Sequence, residues 1–123
     1  MRIIDANIIL RYLLKDNLSL HKKAVEIIKG YDLFLPNEIV AEIVYVLEKV
    51  YHIPKSEICN VLSLLFERNN FSFVDKDIIL ISLQYYLEFN LDFADALLIS
   101  YSKVKKADVL TFDKKLNKII EKI

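Results

Sequence analysis

Apolar residues occur in two kinds of stretch along the chain, short continuous runs and longer segments with helical spacing. Short runs are typical of strands buried on both faces, whereas apolar residues three and four positions apart predict amphipathic helices. The predicted strands are 2–5, 33–35, 71–74 and 109–112. The predicted helices are 7–15, 20–29, 38–51, 55–68, 77–89, 92–105 and 113 onward. This alternation predicts an α/β fold, a parallel sheet covered by helices on both faces, in a single domain over residues 1–123.

The composition is that of a folded domain without a membrane span. Apolar residues make up 54% of the chain and charged residues 28%, and no apolar run reaches the ~18–20 residues that a spanning helix needs. The lone cysteine, Cys59, cannot form an internal disulfide. The single glycine, Gly30, excludes the glycine-rich loops that bind dinucleotides or nucleotide phosphates. We therefore expect a cytoplasmic protein with no membrane contact.

The zero net charge hides a segregation of charge along the chain. Residues 1–30 have a net charge of +3, residues 31–100 of −7 and residues 101–123 of +4. Solvated helix faces would account for this pattern, and so would an acidic site flanked by basic segments that hold the phosphates of a polyanion. The candidate lysines for such phosphate contacts are Lys103, Lys105, Lys106, Lys114, Lys115 and Lys118.

Two acids have apolar surroundings in the sequence. Asp5 ends an apolar strand and is soon followed by the apolar residues 8–10, and Glu42 is the only charge between Ile39 and Leu47. A carboxylate is costly to bury alone, so a pairing partner or a bound cation is expected at both positions. For Glu42, a place at the edge of the apolar face remains the alternative.

Three further acids lie at predicted helix starts. Asp92 and Asp95 open one helix, and Asp113 follows the predicted strand 109–112. Helix capping is a sufficient explanation for Asp92, and Asp113 could act in the same way. Capping explains Asp95 less well, because an apolar run begins immediately beside it.

Acids at strand ends and helix starts of such a fold could converge on one cleft. Neighbouring carboxylates repel one another, and most would have to be protonated unless a cation joined them. A site of oxygen ligands without histidine or thiol suits Mg²⁺ or Mn²⁺, and such ions activate water for attack on a phosphodiester. The residues therefore predict a metal-dependent phosphoryl hydrolase and do not specify its substrate.

The acids and their neighbours also resemble a known family. Residues 3–7, the helix of Glu42, residues 92–96 and residues 110–113 together resemble the motifs of PIN-domain ribonucleases, in the same order. The likeness is closest to the VapC-like toxins of toxin–antitoxin pairs. It extends over essentially the whole chain.

The resemblance implies a PIN-like three-layer α/β/α fold with a short, mostly parallel central sheet of four or five strands. It implies an endoribonuclease whose catalytic acids bind Mg²⁺ or Mn²⁺, namely Asp5, Glu42, Asp95 and Asp113. The implied supporting residues are Asn7, Asp92 and Thr111. The implied partners are RNA as the substrate, a cognate antitoxin protein whose tail blocks the pocket, and a second copy in a homodimer.

One position departs from the family pattern. The family usually has Ser or Thr between its first acid and the following Asn, and here that residue is Ala6. A hydroxyl that could position a metal ligand or water is therefore missing. This departure keeps a second hypothesis open, a catalytically weak PIN-like module that binds RNA or protein. A phosphoacceptor signalling domain is a third interpretation, but no pair of acids ends the first strand.

Overall fold

A computed structural model describes all 123 residues, which form two compact units, Met1–Val74 and Asp75–Ile123. The first unit contains the strands β1 (Arg2–Ile3), β2 (Leu33–Leu35) and β3 (Phe71–Phe73) and the helices α1 (Ala6–Leu14), α2 (Leu18–Gly30), α3 (Asn37–Tyr45) and α4 (Lys55–Phe66). The second unit contains the helices α5 (Lys76–Glu88), α6 (Phe93–Lys105) and α7 (Lys114–Lys122). The chain is thus a helix-rich α/β protein, as its apolar pattern predicts.

The sheet belongs to the first unit and has three parallel strands in the order β1-β2-β3. Leu33 pairs with Arg2 on one side and with Phe71 on the other, so β2 is the central strand. Leu33 and Leu35 are buried and Phe34 between them is half-buried, as expected for a central strand of a parallel sheet. The structure therefore has a small parallel sheet of three strands, where four or five were predicted.

Residues 109–112 do not form the predicted fourth strand. Residues 106–113 have no regular secondary structure, and Leu110 and Phe112 are 95% and 104% exposed. The apolar run predicts a buried strand, but a strand also needs a neighbour that accepts its backbone hydrogen bonds, and this segment has none. A short apolar run is therefore not sufficient to predict a strand.

The helices begin and end close to the predicted positions, with two differences. The first helix begins one residue earlier than predicted, so that Asp5 occupies its N-cap. The predicted helix 38–51 is α-helical only to Tyr45 and continues as a π-helical segment over Val46–Val50. The wider turn of this segment rotates the side chains after Tyr45 away from the positions that a regular α-helical period predicts.

Apolar side chains pack the helices together within each unit. In the first unit α1 packs against α2 and α3, and Ile9, Ile28 and Ile43 are fully buried. In the second unit α5 packs along α6, and α6 packs against α7. Burying one such side chain stabilises a fold by about 1.5–3 kcal/mol relative to leaving it exposed. None of these helices is long and apolar enough to cross a membrane.

Candidate functional site

Five helices have an aspartate or asparagine at the N-cap, and three of these side chains cap the helix. The capping side chains accept a hydrogen bond from a backbone N–H three residues later and belong to Asn17, Asp75 and Asp113. Asp5 before α1 and Asp92 before α6 also have an extended backbone, but their side chains make no capping hydrogen bond. Capping therefore does not explain Asp92, contrary to the expectation. Both carboxylates remain able to bind another group.

Asp5 and Asn7 lie at the start of α1, after β1, and both side chains are exposed. The apolar run therefore does not bury Asp5, which lines an open groove of about 610 Å³ together with Arg2. The Asn7 Oδ1 atom accepts a long hydrogen bond from Arg11 Nε at 3.4 Å. Ala6 is only 2% exposed, so its methyl group belongs to the core. The start of α1 thus presents a carboxylate and an amide to solvent.

Glu42 lies on the exposed face of α3. Its side chain is exposed, as are those of Glu38 and Tyr45, which follow the helical spacing of one face. The expectation that apolar neighbours would surround Glu42 is wrong, because the buried residues of α3 lie on its other face. Since α3 packs against α1, the helix of Glu42 contacts the helix that begins after Asp5.

Asp95 lies half-buried in the first turn of α6. Burial raises the pKa of its carboxyl group, the charges of Asp92 and Asp113 raise this pKa further, and Lys115 opposes them. The ionised form of Asp95 is therefore destabilised first by lost hydration and then by like charges.

Asp113 is held at the start of α7 by two hydrogen bonds. Its Oδ1 atom accepts from Leu116 N–H at 3.1 Å, and its backbone N–H donates to Thr111 Oγ1 at 3.0 Å. The side chain of Asn117 donates to the Thr111 carbonyl at 3.0 Å and so ties this loop to α7. Asp113 is thus a helix cap, as one of its interpretations predicted, and Thr111 positions it.

The structure arranges the predicted residues in two sets. Asp5, Asn7 and Glu42 belong to the first unit, and Asp92, Asp95, Thr111 and Asp113 belong to the second. Within neither unit does a group of three or more His, Cys, Asp or Glu side chains have an arrangement that could hold a metal ion. The donor chemistry around Asp95 nevertheless fits a hard cation, because it consists of mutually repelling carboxylates. A metal site made by all four acids stays a prediction.

The six predicted lysines differ in their surroundings. Lys105 Nζ lies 2.7 Å from Asp75 Oδ2 in an ion pair, and Lys115 Nζ donates to the Asn90 carbonyl at 3.4 Å. All six are exposed, and the other four are Lys103, Lys106, Lys114 and Lys118. One lysine that the sequence interpretation missed, Lys122, lines a groove with two of the predicted ones. Lys122 follows Lys115 and Lys118 at helical spacing in α7, and this spacing could have identified it as a member of the same face.

Comparison with known proteins connects these residues to one family. No curated protein and no solved structure matches the chain significantly. The PIN domain family model matches residues 2–122, a range that includes all four predicted metal-binding acids. Proteins of this family are generally nucleases. On the basis of this match over nearly its whole length, the chain belongs to the PIN domain family.

Proposed function

We propose that the protein is a metal-dependent endoribonuclease and the toxin of a type II toxin–antitoxin system. Membership of the family supports phosphodiester hydrolysis as the general activity. One observation carries the proposal: half-buried Asp95 lies in the same unit as Asp92 and Asp113, and their charges raise the pKa of its carboxyl group. A cation bound nearby would favour the ionised form of such a group. RNA as the substrate and Mg²⁺ or Mn²⁺ as the cation are the specific parts of the proposal.

The residues that would hold the cation are Asp5, Glu42, Asp95 and Asp113, as the resemblance to the family implies. Their carboxylates are the oxygen ligands that Mg²⁺ and Mn²⁺ prefer. When bound, such an ion lowers the pKa of a water and neutralises charge that develops on the phosphate.

The helix starts contribute to the site through their own electrostatics. Asp5 and Asp113 occupy N-caps, and Asp95 lies in the first turn of its helix. The positive end of a helix dipole stabilises a nearby anion by about 0.3–1 kcal/mol at an exposed position. The helices therefore partly offset the repulsion among the acids and also favour an approaching phosphate.

Supporting residues fix the positions of the acids. Thr111 accepts the backbone N–H of Asp113 and thereby holds the loop before α7. Asn7 presents its amide two residues after Asp5, and Asp92 adds charge beside Asp95. These three residues would orient metal ligands and water and would not themselves react.

The biological part of the proposal follows from the resemblance to VapC-like toxins. A cognate antitoxin would inhibit the enzyme by covering the acids with its tail, and the enzyme would act in the cytoplasm as a homodimer. Co-expression with the product of an adjacent small gene, followed by copurification, tests for this partner. Growth arrest on expression of the toxin alone, relieved by the partner, is the expected result.

Cleavage of RNA tests the enzymatic proposal. Purified protein is incubated with cellular RNA in Mn²⁺ or in EDTA, beside the variants Asp5→Asn and Asp95→Asn. We expect Mn²⁺-dependent fragments from the wild type and none from the two variants. The matched controls Glu26→Gln and Asp108→Asn remove an exposed acid outside the site and should cut normally. Cleavage that persists in EDTA and in both site variants would overturn the proposal.

A second candidate function is a catalytically weak PIN-like module that binds RNA or protein. The buried methyl group of Ala6 favours it, because a hydroxyl that the family usually has is absent beside Asp5. Under this hypothesis Ala6→Ser raises cleavage from a low starting rate. Efficient cleavage by the wild type, unchanged in Ala6→Ser, would exclude it.

A further inference from the structure

A groove on the second unit combines an apolar base with a rim of lysines. Its volume is about 390 Å³, and its lining residues are Phe89, Lys115, Lys118, Ile119 and Lys122. Ile119 is buried and Phe89 is half-buried, whereas the three lysine side chains are exposed. The groove therefore combines apolar side chains with positively charged side chains that are exposed to solvent.

The lysines of the groove form a line along one face of α7. Lys115, Lys118 and Lys122 lie three and four residues apart, which is the spacing of one helix face. With a rise of 1.5 Å per residue they span about 10 Å along the helix axis. A line of charge of this length suits successive phosphates of an extended chain better than a single small anion.

An aromatic pair adds a second kind of contact. The rings of Tyr85 and Phe89 have centroids 5.4 Å apart at an interplanar angle of 40°, and Phe89 lines the groove. Proteins that bind single-stranded nucleic acid combine a positively charged groove with aromatic rings on which bases stack. An acidic peptide would use the lysines, whereas a nucleic acid strand has both a phosphate and a planar base in every nucleotide, which matches the row of lysines beside the ring. The ring therefore favours a nucleic acid strand.

One end of the groove adjoins the acids of the second unit. Lys115 lines the groove and is also the cation that acts on Asp95. Its Nζ atom donates to the carbonyl of Asn90, the residue after Phe89. Lys115 also lies only two residues after Asp113, the N-cap of α7, so this end of the groove is the one nearest that acid along the helix.

We propose that this groove holds single-stranded RNA beside the cleavage site, with phosphates on Lys115, Lys118 and Lys122 and a base against Phe89. The inference rests on the proposed endoribonuclease function and adds the path of the substrate. It assigns Lys122 and Phe89 to RNA binding. It does not include the lysines of α6, one of which, Lys105, forms an ion pair with Asp75.

Binding without cleavage tests this path. A fluorescein-labelled oligouridine of about twelve nucleotides is titrated with full-length protein in EDTA, and its anisotropy is followed at several salt concentrations. The variants are Lys118→Ala/Lys122→Ala and Phe89→Leu, which keeps an apolar side chain in the groove. The control Lys22→Ala/Lys23→Ala removes two exposed lysines of α2. Circular dichroism and thermal melting confirm that each variant is folded.

The lysine and aromatic variants should fail in different ways. Removing two phosphate contacts should weaken binding by about tenfold or more at low salt and reduce the slope of log K against log salt by about 1.4. Loss of stacking in Phe89→Leu should weaken binding by at least about fivefold and leave the salt slope unchanged. The control should bind within about twofold of the wild type.

Two results of the binding assay would overturn the inference. One is a lysine variant that binds no more weakly than the control. The other is displacement of the RNA by polyglutamate as effectively as by unlabelled RNA, which would make the groove a general polyanion site.

Cleavage assays in Mn²⁺ separate this inference from the proposed function. RNA binding in the groove without any cleavage would contradict only the nuclease, and cleavage with an unchanged KM in the groove variants would contradict only the groove.

Discussion

Lys105 Nζ lies 2.7 Å from Asp75 Oδ2, and this ion pair joins the last residue of α6 to the N-cap of α5. The Asp75 Oδ1 atom also accepts a hydrogen bond from Ile78 N–H at 3.2 Å. Two hydrogen bonds lower the pKa of Asp75, and the one from Lys105 has a larger effect than the one from Ile78. Asp75 in turn raises the pKa of Lys105. One carboxylate thus caps one helix and holds the end of the next.

We expect Asp75→Asn to make stability less dependent on pH in acid. Because the folded-state pKa of Asp75 lies below its ordinary value of 3.8, its contribution is present above that value and is lost as the pH falls through the folded-state value. Asparagine keeps the cap without the charge. Urea unfolding should show the variant less stable than the wild type at about pH 6, with the difference shrinking toward about pH 2. A difference that stayed constant over this range would contradict the prediction.

Asp95→Asn should stabilise the protein in the absence of metal. The raised pKa of Asp95 means that its ionised form is disfavoured in the fold, by burial first and by Asp92 and Asp113 next. Removing the charge should raise the free energy of unfolding by up to about 1 kcal/mol at neutral pH in EDTA. The gain should vanish below about pH 3, where Asp95 is protonated in both states. Chemical unfolding of both proteins measures it, and a less stable variant would argue against crowded carboxylates.

The buried serines of the second unit should respond unequally to truncation. Ser82 Oγ donates to Ser100 Oγ at 2.8 Å, and Ser100 Oγ donates to the Ala96 carbonyl at 2.9 Å. Ser82→Ala leaves Ser100 with its carbonyl partner, whereas Ser100→Ala removes the acceptor of Ser82. We expect Ser100→Ala to cost about 1–3 kcal/mol and Ser82→Ala about 1 kcal/mol or less. Thermal and urea unfolding of the two variants measure these losses of stability. Equal losses would contradict the proposed order of donors and acceptors.

Gly30→Ala should stabilise the fold even though Gly30 is the only glycine in the chain. Gly30 is the last residue of α2, it has no positive φ angle, and an added Cβ would meet no atom within 4 Å. Alanine restricts the unfolded chain and favours the helix, so the free energy of unfolding should rise by about 0.5–1 kcal/mol. A loss of stability would show that the glycine has a conformational role.

The amino-acid pattern predicted most helices and the three strands. It also predicted a fourth strand that does not form, because the pattern does not show which strand a segment pairs with. Leu33 to Leu35 and Phe71 to Phe73 form strands because each run finds a parallel neighbour. The run that contains Leu110 and Phe112 is equally apolar and remains exposed. Pairing of a short strand depends on its neighbour in the fold, which periodicity cannot identify.

The candidate site was predictable to a similar degree. The order of the acids identified the family, and crowding around Asp95 agrees with the expectation that the acids repel one another. The apolar neighbours of Asp5 and Glu42 in sequence suggested burial, but both acids face solvent while buried apolar neighbours face the core, which agrees with the alternative kept open for Glu42. Asp92 has the position and backbone conformation of a helix cap but makes no capping hydrogen bond, and spacing alone does not distinguish it from Asp113, which does.

Metal binding tests the central claim most directly. Mn²⁺ is titrated by calorimetry into the wild type, Asp5→Asn, Asp95→Asn and the control Asp108→Asn. If these acids hold one ion, the wild type and the control bind Mn²⁺ with the same Kd, and each site variant weakens binding by at least about tenfold. Wild-type affinity in either Asp5→Asn or Asp95→Asn would contradict the proposed metal site.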